Sequence, residues 1–366
     1  MDLRKATFDR AKETECRLLD LYFSSNEVPV DLKEVSGAIV SLLPDDPLVI
    51  KLKENGIPVV RCGQFKHPLD HTQHSIIPDW ELIGRMSATH FIERGYRNYA
   101  IVGNSPVANF KTLYDSFIEK VEGEGFNCQL FQFNTHVSMD DKVYRQMTKE
   151  FISWVKTVPK PLAIFTGHDI MACRLLLMCS AHGISVPEEV AFLCPNADDI
   201  TCETTPIHVS SVRLGKKAQG RKAIDLLLKI LDGKVKEITN LYCPPEKIIE
   251  RKSSNYFSGA SPVVEEAIRY IWENFRQPIS VESIAKHVRV SRRKLEYDLK
   301  GFLHRTVGEE LRRKRLEEAQ YLLRTTDENI DEVAHMCGIG ESVSLQRAFK
   351  KYYSITPSQY RQSQND

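Results

Sequence analysis

The feature that most limits how this chain can fold is a regular alternation of short β-rich runs with amphipathic helical runs, from about residue 35 to residue 245. The predicted strands are 37–43, 57–63, 99–104, 128–133, 162–167 and 190–195. The predicted helices are 79–95, 111–125, 168–183 and 214–233. Because strand, helix and strand connect as a right-handed unit, this order predicts an α/β fold with parallel sheets. Ligands of such folds bind beyond the carboxyl ends of the strands.

The pattern changes after residue 250. Residues 251–261 are polar and rich in Ser and Gly, which is typical of a linker. Residues 262–366 contain no strand pattern and predict six or seven short helices. We therefore predict three parts: an α/β region over 1–250, a linker over 251–261 and an all-α region over 262–366.

Two segments of the all-α region repeat one layout. Residues 279–302 and residues 329–353 each predict a helix, a short turn and a second helix. Each first helix carries a small residue, Ala285 or Ala334, at the position where two crossing helices must approach closely. This arrangement is typical of a helix-turn-helix unit, whose second helix enters the major groove of DNA.

Three cations, Arg292, Arg293 and Lys294, occupy the first turn of the second helix in the first unit. An isolated helix favours acidic residues there, because the helix dipole already places positive charge at this end. A helical bundle with a solvated charge run is the simpler interpretation, but a docked polyanion accounts for the cations better. The formal net charge of the whole chain is only +1, so the local cluster carries this inference.

The all-α region resembles the DNA-binding domain of the AraC/XylS transcription regulators. The resemblance rests on the runs VSRRKLEYDLKGF, RLEEAQYLL, IDEVAHMCGI and AFKKYYSITPSQYR. It implies that the chain reads bases with two recognition helices and holds phosphates with nearby lysines. The residues implied for bases are Arg292, Arg293, Glu296, Tyr297, Ser342, Val343, Gln346 and Arg347, and those for phosphates are Lys294, Lys350 and Lys351.

Two positions depart from this family. His304 stands where its members usually have Gly after the first recognition helix, and Leu345 replaces a common Phe. We expect both to alter packing without abolishing DNA binding.

The α/β region resembles the periplasmic-binding-protein-like sensor of the LacI/GalR regulators. The matching runs include PDWELIGRMSATHFIERGYRNYAIVGN, AIFTGHDIMA and GISVPEEVAFLCPNADD. The resemblance implies two lobes that close on a small effector, a sugar such as a pentose. It places five residues at the cleft: Asp79, Asn109, Phe110, Asp169 and Asn196. For Asp79 and Asp169, capping of the following helix is the alternative role.

Two departures weaken the expectation of sugar binding. Leu113 replaces an Arg of the sugar-binding members, and Asn196-Ala197 replaces an Asp-Asn pair, so the cleft has lost a cation and an acid. The start of the sequence is also unusual for such a sensor, because residues 3–15 predict its first helix and residues 16–23 its second strand. The first strand is therefore expected to precede Met1 or to be missing from a compromised lobe.

Several other functions fit the sequence poorly. The nine cysteines are scattered without a CxxC pair, which favours reduced thiols, and no long apolar run or leader is evident. The run HPLDHTQH, with His67, Asp70, His71 and His74, invites a metal site but has no further ligand spacing, so we predict no metal and no cofactor. No motif of a nucleophile or a phosphate-binding loop occurs, which argues against an enzyme.

We therefore predict a cytoplasmic, ligand-controlled DNA-binding regulator. Its expected partners are an operator DNA, a sugar-like effector, a second copy of the chain in a homodimer and RNA polymerase. Two alternatives stay open: a ligand-independent regulator with a degenerate sensor, and an α/β enzyme fused to a DNA reader.

Overall fold

The computed structural model describes residues 2–19, 31–63, 68–104, 110–133, 141–195, 199–326 and 328–365. The chain forms two compact units. The first unit comprises residues 1–89 and 98–255, and the second comprises residues 90–97 and 256–366. The boundary near residue 255 lies inside the predicted linker, but the assignment of residues 90–97 to the second unit was not foreseen.

The first unit is built from strands and helices in alternation. Its strands are β1 (Ala38–Val40), β2 (Val59–Cys62), β3 (His74–Pro78), β4 (Asn98–Asn104), β5 (Cys128–Phe133), β6 (Leu162–Thr166), β7 (Val190–Pro195), β8 (Ser210–Arg213), β9 (Asn240–Cys243) and β10 (Lys247–Ile249). Its helices are α1 (Asp2–Glu13), α2 (Pro47–Glu54), α3 (Trp80–Ile92), α4 (Lys111–Gly123), α5 (Asp141–Thr157), α6 (Asp169–Ala181), α7 (Asp199–Glu203) and α8 (Lys216–Leu231); the last three residues of α3 fall in the second unit.

These strands form two sheets, one for each lobe. The smaller sheet has the order β1-β2-β3-β9, and all of its pairs are parallel. The larger has the order β10-β8-β7-β6-β4-β5 and is parallel except for β10, which runs antiparallel to β8. Every residue of β6 and β7 is buried, as expected for strands of a sheet covered by helices on both faces. The prediction of a two-lobed α/β domain with parallel sheets is confirmed.

The first helix is α1, close to its predicted position. It packs along α8, where the Arg10 guanidinium pairs with Asp225 at 2.7 Å and Arg221 pairs with Glu13 at 2.8 Å. A Cβ atom at Gly220 would lie 2.7 Å from the Leu3 carbonyl oxygen, so only glycine allows this close approach. The predicted strand at 16–23 is wrong for residues 16–19, which are irregular; its remaining residues lie outside the described ranges.

The first part of the predicted linker is not a free segment. Ser253 and Ser254 are fully buried. The Ser253 hydroxyl donates to the Phe192 carbonyl at 2.7 Å and accepts from the Ser210 N–H at 2.8 Å. Arg251 binds the carboxylates of α7. Short polar side chains suit a linker but can also tie a segment to strands such as β7 and β8, and composition does not separate these two cases.

The second unit is helical, as predicted. Its helices are α9 (Pro262–Asn274), α10 (Val281–His287), α11 (Arg292–Leu303), α12 (Val307–Thr325), α13 (Ile330–Met336), α14 (Ser342–Tyr353) and α15 (Pro357–Asn365). They enclose two cores. One is formed by α9, α10, α11 and the start of α12; the other is formed by the rest of α12 with α13 and α14 and contains the buried Cys337.

The two helix-turn-helix units share one backbone frame. The pair α10 and α11 has 7 and 12 residues, and so does the pair α13 and α14. The turns differ by one residue: residues 288–291 contain one left-handed residue, Arg289 at φ 57°, and residues 337–341 contain two, Gly338 at φ 78° and Gly340 at φ 95°. The residue after each recognition helix is left-handed too, His304 at φ 57° and Ser354 at φ 65°. This conformation explains why a glycine suits the position of His304.

Candidate DNA interface and ligand cleft

The first recognition helix, α11, begins with its cations in solvent. Ser291 caps the helix by accepting the Lys294 N–H at 3.2 Å. Arg292, Arg293 and Lys294 are all exposed, while Leu295 and Leu299 on the opposite face are fully buried. The buried face holds α11 in the core, and the exposed face presents the cations and the Tyr297 ring, which is 81% exposed.

Three predicted contact residues of α11 already have partners within the protein. Arg292 pairs with Glu282 of α10, and the Lys294 ammonium lies 2.9 Å from Asp298. Glu296 is half-buried, and its carboxylate accepts the Val307 N–H at the start of α12 at 3.1 Å. The Glu296 contact supports the junction between α11 and α12, so this residue has a structural role beside any contact with a base.

The second recognition helix, α14, presents a face of different chemistry. Val343 is 54% exposed, Gln346 and Arg347 are exposed, and Ser342 is half-buried. Leu345 is fully buried, so this departure from the related family lies in the core and not at the interface. Lys350 and Lys351 are exposed in the last turn, where lysines can reach phosphates.

Residues of the two helices correspond at a constant offset of 50. The predicted base-reading pairs are Arg292 with Ser342, Arg293 with Val343, Glu296 with Gln346 and Tyr297 with Arg347; Glu296 and Ser342 are half-buried and the other six residues are exposed. The buried pairs are Leu295 with Leu345 and Leu299 with Phe349. Both helices therefore offer the same turn-and-a-half of surface. Such a surface can carry hydrogen bonds and apolar contacts to base edges in a major groove.

The first unit brings four aromatic rings together beyond the ends of three strands. Trp80 follows β3, Phe110 follows β4 and His168 follows β6. The Phe110 ring lies 6.4 Å from Trp80, 5.8 Å from Tyr114 and 6.5 Å from His168 between centroids. We call Trp80, Phe110, Tyr114 and His168 the aromatic cluster. Its members come from both sheets, which is where a ligand of a two-lobed domain binds.

Two members of the cluster also carry polar groups. The His168 Nδ1 accepts the Met171 N–H at 3.2 Å, which leaves the proton on Nε2. Burial lowers the pKa of His168, so the neutral ring is favoured. The Tyr114 hydroxyl bonds with the Gly167 backbone, and burial raises the pKa of Tyr114. A neutral imidazole N–H and a phenol can both bond to the hydroxyl groups of a ligand.

Both predicted carboxylates flank this cluster and take part in helix starts. Asp79 is half-buried and its Oδ1 accepts the Leu82 N–H at 2.9 Å, which caps α3. Asp169 is half-buried and its Oδ1 accepts the Ile170 N–H at 2.8 Å, while the cap of α6 is His168. The capping role considered for Asp79 is therefore present, and a carboxylate retains further lone pairs for a ligand.

The other predicted cleft residues divide into two groups. Asn109, Asn196 and Ala197 lie outside the described residues. Leu113 is described and fully buried, so no side-chain charge stands at this position of α4. Sequence reasoning missed Trp80, Tyr114 and His168; of these, His168 directly follows the predicted strand 162–167, whereas Trp80 follows a strand that was not predicted and Tyr114 lies within a helix.

Two residues of the histidine-rich run, Asp70 and His74, make structural contacts. Asp70 is bound by both Nε and Nη2 of Arg61, at 2.9 and 2.6 Å, and both residues are buried. The His74 Nδ1 accepts the Thr239 N–H at 3.2 Å. His67 lies outside the described ranges, within which no group of three or more candidate ligands could hold a metal ion.

Comparison with known proteins finds one domain family in the α/β region and another in the all-α region. The sequence profile of the periplasmic binding protein-like domain matches residues 88–254, and that of a helix-turn-helix domain matches residues 284–363. The chain is 27% identical to the xylose operon regulatory protein of Haemophilus influenzae over 87% of this chain and 83% of the relative. It is 25% identical to that of Escherichia coli K12 over 89% and 84%.

Structural comparison agrees with these matches. The solved structure of the xylose-binding transcription activator xylR superposes with a TM-score of 0.60 at 23% identity, covering 99% of this chain and 94% of that one. At this identity the likeness establishes the shared fold. No helix within the described ranges is both long and apolar enough to cross a membrane.

Proposed function

We propose that xylose or a related pentose controls the DNA binding of this chain, a transcription regulator that joins a periplasmic binding protein-like sensor to an AraC-type helix-turn-helix domain. The two relatives compared over most of their length are xylose operon regulatory proteins. They act as regulators, and we propose that this chain likewise acts by binding and not by catalysis.

The observation that carries the pentose proposal is the aromatic cluster between Asp79 and Asp169. Sugars bind proteins through the apolar face of the ring, which packs on aromatic side chains, and through hydroxyl groups, which bond to planar polar groups. Phe110 is half-buried and offers aromatic surface, and the buried Trp80 ring lies behind it at 6.4 Å between centroids. The carboxylates of Asp79 and Asp169 can accept hydrogen bonds from the hydroxyl groups of the sugar. The His168 Nε2–H can donate a hydrogen bond to a hydroxyl oxygen of the sugar.

On the DNA side we propose that α11 and α14 of one subunit enter successive major grooves, about one helical turn apart. Arg292, Arg293, Tyr297, Val343 and the other residues predicted from the sequence would read bases. Lys294, Lys350 and Lys351 would hold phosphates. We further propose that the chain acts in the cytoplasm as a homodimer on a two-part operator and contacts RNA polymerase; light scattering of the purified chain tests the dimer.

The sugar proposal is tested by intrinsic fluorescence and thermal unfolding of the full chain with D-xylose, L-arabinose, D-ribose and D-glucose. A ligand at about 100 times its Kd stabilises the domain that binds it by roughly 2.7 kcal/mol. We expect D-xylose to raise the Tm and to change the emission of Trp80. Trp80→Phe should remove the emission change, whereas the matched variant Trp154→Phe, whose ring packs on Phe131, should retain it.

A ligand-independent regulator is the second candidate, and buried Leu113 favours it, because a sugar-binding relative would carry an arginine at that position. It predicts no Tm change with any of the four sugars while DNA binding persists. That result would overturn the pentose proposal and leave the DNA-binding assignment intact.

A further inference from the structure

Residues 90–97 form a tightly enclosed part of the second unit. The Arg94 carbonyl accepts the Ser258 N–H at 2.7 Å, and the Arg94 guanidinium lies over the Trp272 ring at 4.7 Å. A Cβ atom at Gly95 would lie 2.5 Å from the Ser258 carbonyl oxygen and 2.8 Å from the Phe302 ring. The segment therefore has almost no freedom to shift without displacing the helices around it.

Glu93 of this segment joins a buried cluster of charges on α12. Its carboxylate pairs with Arg313 and lies 3.8 Å from the Lys314 ammonium. Arg313 also bonds to Glu310 at 2.6 and 2.8 Å, and it pairs with Glu317. The exposed fraction is 6% for the Arg313 side chain and 10% for that of Glu93. Charges this deeply buried are retained only where each has partners of opposite sign.

Further groups from other helices complete the cluster. The Arg305 Nε lies 2.5 Å from Glu310, and the Trp272 Nε1 donates to Glu310 at 2.7 Å. Burial opposes ionisation of Glu310, but the hydrogen bonds and charge of Arg313 lower the pKa of Glu310 to about 2. The same helix, α12, packs against Leu345 and Phe349 of the second recognition helix in the second core.

The cluster occupies the stretch of α12 that connects the two cores. Val307 and Leu311 of α12 pack in the first core, and Leu316 and Leu322 pack in the second. With 19 residues, α12 is about 28 Å long, and among the described residues it is the helix that contributes buried side chains to both cores. A bend or a twist within this helix would change the distance between α11 and α14.

We infer that Glu93 is a positioning residue for DNA reading, which fixes α12 through Arg313 and so sets the spacing of the two recognition helices. Residues 90–92 are also the last residues of α3, whose first residue is Trp80 of the aromatic cluster. A ligand that moves Trp80 therefore acts on Glu93 through a continuous helix. This part of the inference rests on the proposed function.

The test uses the full chain and a duplex that the wild type selects from a random library. Footprinting of the wild type on this duplex identifies the two major grooves that it protects. In derivatives of the duplex, one base pair is added or removed between these grooves, which changes their separation by about 3.4 Å. Wild type should lose at least about tenfold in affinity on the altered spacings, as for a mismatched site. Glu93→Gln should bind the selected duplex about tenfold more weakly and differ less than about threefold between spacings.

Two further readouts separate positioning from simple loss of structure. Affinity for random DNA and the Kd for D-xylose should be unchanged in Glu93→Gln, while the effect of D-xylose on DNA affinity should disappear. Glu318→Gln, which removes a carboxylate of α12 that pairs with Arg276, should keep the spacing preference of the wild type. Should Glu93→Gln fail to fold, Glu93→Asp retains the charge on a shorter side chain and should show a reduced spacing preference.

Wild-type spacing preference in a folded Glu93 variant would overturn the inference and leave the proposed function standing. Failure of the wild type to select any duplex would overturn both the inference about Glu93 and the proposed DNA-binding function. An unchanged DNA affinity of the wild type with D-xylose would overturn the pentose proposal and the ligand route, but not the positioning of α12 by Glu93.

Discussion

The two helix-turn-helix units have nearly the same backbone and very different surroundings. Recognition helix α11 has a serine cap and three exposed cations, whereas α14 follows Glu341, which makes no side-chain cap, and begins with Ser342 and Val343. Each helix-turn-helix unit has an apolar core of its own, and the charge cluster around Arg313 lies on the stretch of α12 that connects the two cores. A shared frame thus supports one unit suited to charged groups and one suited to apolar and amide contacts.

This difference shows that the buried residues fix the position of each recognition helix and that the exposed residues determine what the helix can bind. Leu295 and Leu345 occupy the same buried position and fix the helices in place. Arg293 and Val343 occupy the same exposed position and differ completely in what they can contact. The following predictions test how far the two units are independent, in order of decreasing effect.

The largest effect should come from the cores. Leu299→Ala and Leu345→Ala each remove a fully buried side chain and should destabilise the protein by about 2–5 kcal/mol. Because the two residues belong to different cores, Leu299→Ala should speed hydrogen exchange mainly in α11, and Leu345→Ala mainly in α14. Equal acceleration in both helices by either variant would mean that the cores open as one.

Base contacts should give the next largest effect. Arg293→Ala and Arg347→Ala remove exposed guanidinium groups and should each weaken specific DNA binding by about 1–3 kcal/mol. Titration against the selected duplex and against random DNA measures the difference. Lys350→Ala is the comparison, since loss of a phosphate contact should weaken binding to both duplexes alike and reduce the salt slope by about 1. Equal losses on both duplexes for the arginine variants would contradict their assignment to bases.

The turns of the two units should respond in opposite directions. A Cβ atom at Gly338 would lie 2.6 Å from the Phe275 carbonyl oxygen, so Gly338→Ala should destabilise the fold by roughly 1–3 kcal/mol. Arg289→Gly relieves a left-handed arginine at the equivalent turn and should stabilise it by about 1 kcal/mol. Urea unfolding of both variants measures these changes. A stabilised Gly338→Ala would show that the turns are not equivalent.

The smallest effect is expected at the ends of the recognition helices. His304→Gly and Ser354→Gly each place glycine at a left-handed position and should raise the free energy of unfolding by about 0.5–1 kcal/mol. Similar increases in thermal unfolding would support equivalent helix ends. A decrease for His304→Gly alone would mean that the imidazole makes a stabilising contact that outweighs its backbone strain.

The fold was predicted well where the hydrophobic residues had a regular period and where Gly, Pro or Asn marked the ends of the elements. Strands such as β4, β6 and β7 are continuous apolar runs, and both helix-turn-helix units follow from regular spacing of buried residues. Several elements were missed. The strands β9 and β10 are only partly buried, so their residues give no alternating pattern, and the strands β3 and β8 and the 17-residue helix α5 were not predicted either. The role of Ser253 in the first unit depends on Phe192, more than 60 residues earlier in the chain.

The candidate sites were predictable to different degrees. The exposed faces of α11 and α14 follow from helical spacing, because the buried residues define the opposite face. The bond from Glu296 to Val307 was not predictable, since it depends on the angle between two helices. The aromatic cluster depends on how loops after three strands converge, and the pairing of Glu93 with Arg313 joins residues 220 positions apart. Neither produces a local pattern in the sequence.

The reactivity of the buried Cys337 thiol can report how often the core of the second helix-turn-helix unit opens. It is the one cysteine in residues 90–97 and 256–366, and burial raises its pKa to about 11. A maleimide can therefore react with it only when the core beneath α14 opens. Pulsed maleimide labelling followed by peptide mass spectrometry would measure the rate of these openings in the wild-type protein without any substitution. The measurement can be made on the free protein, with sugar and on DNA.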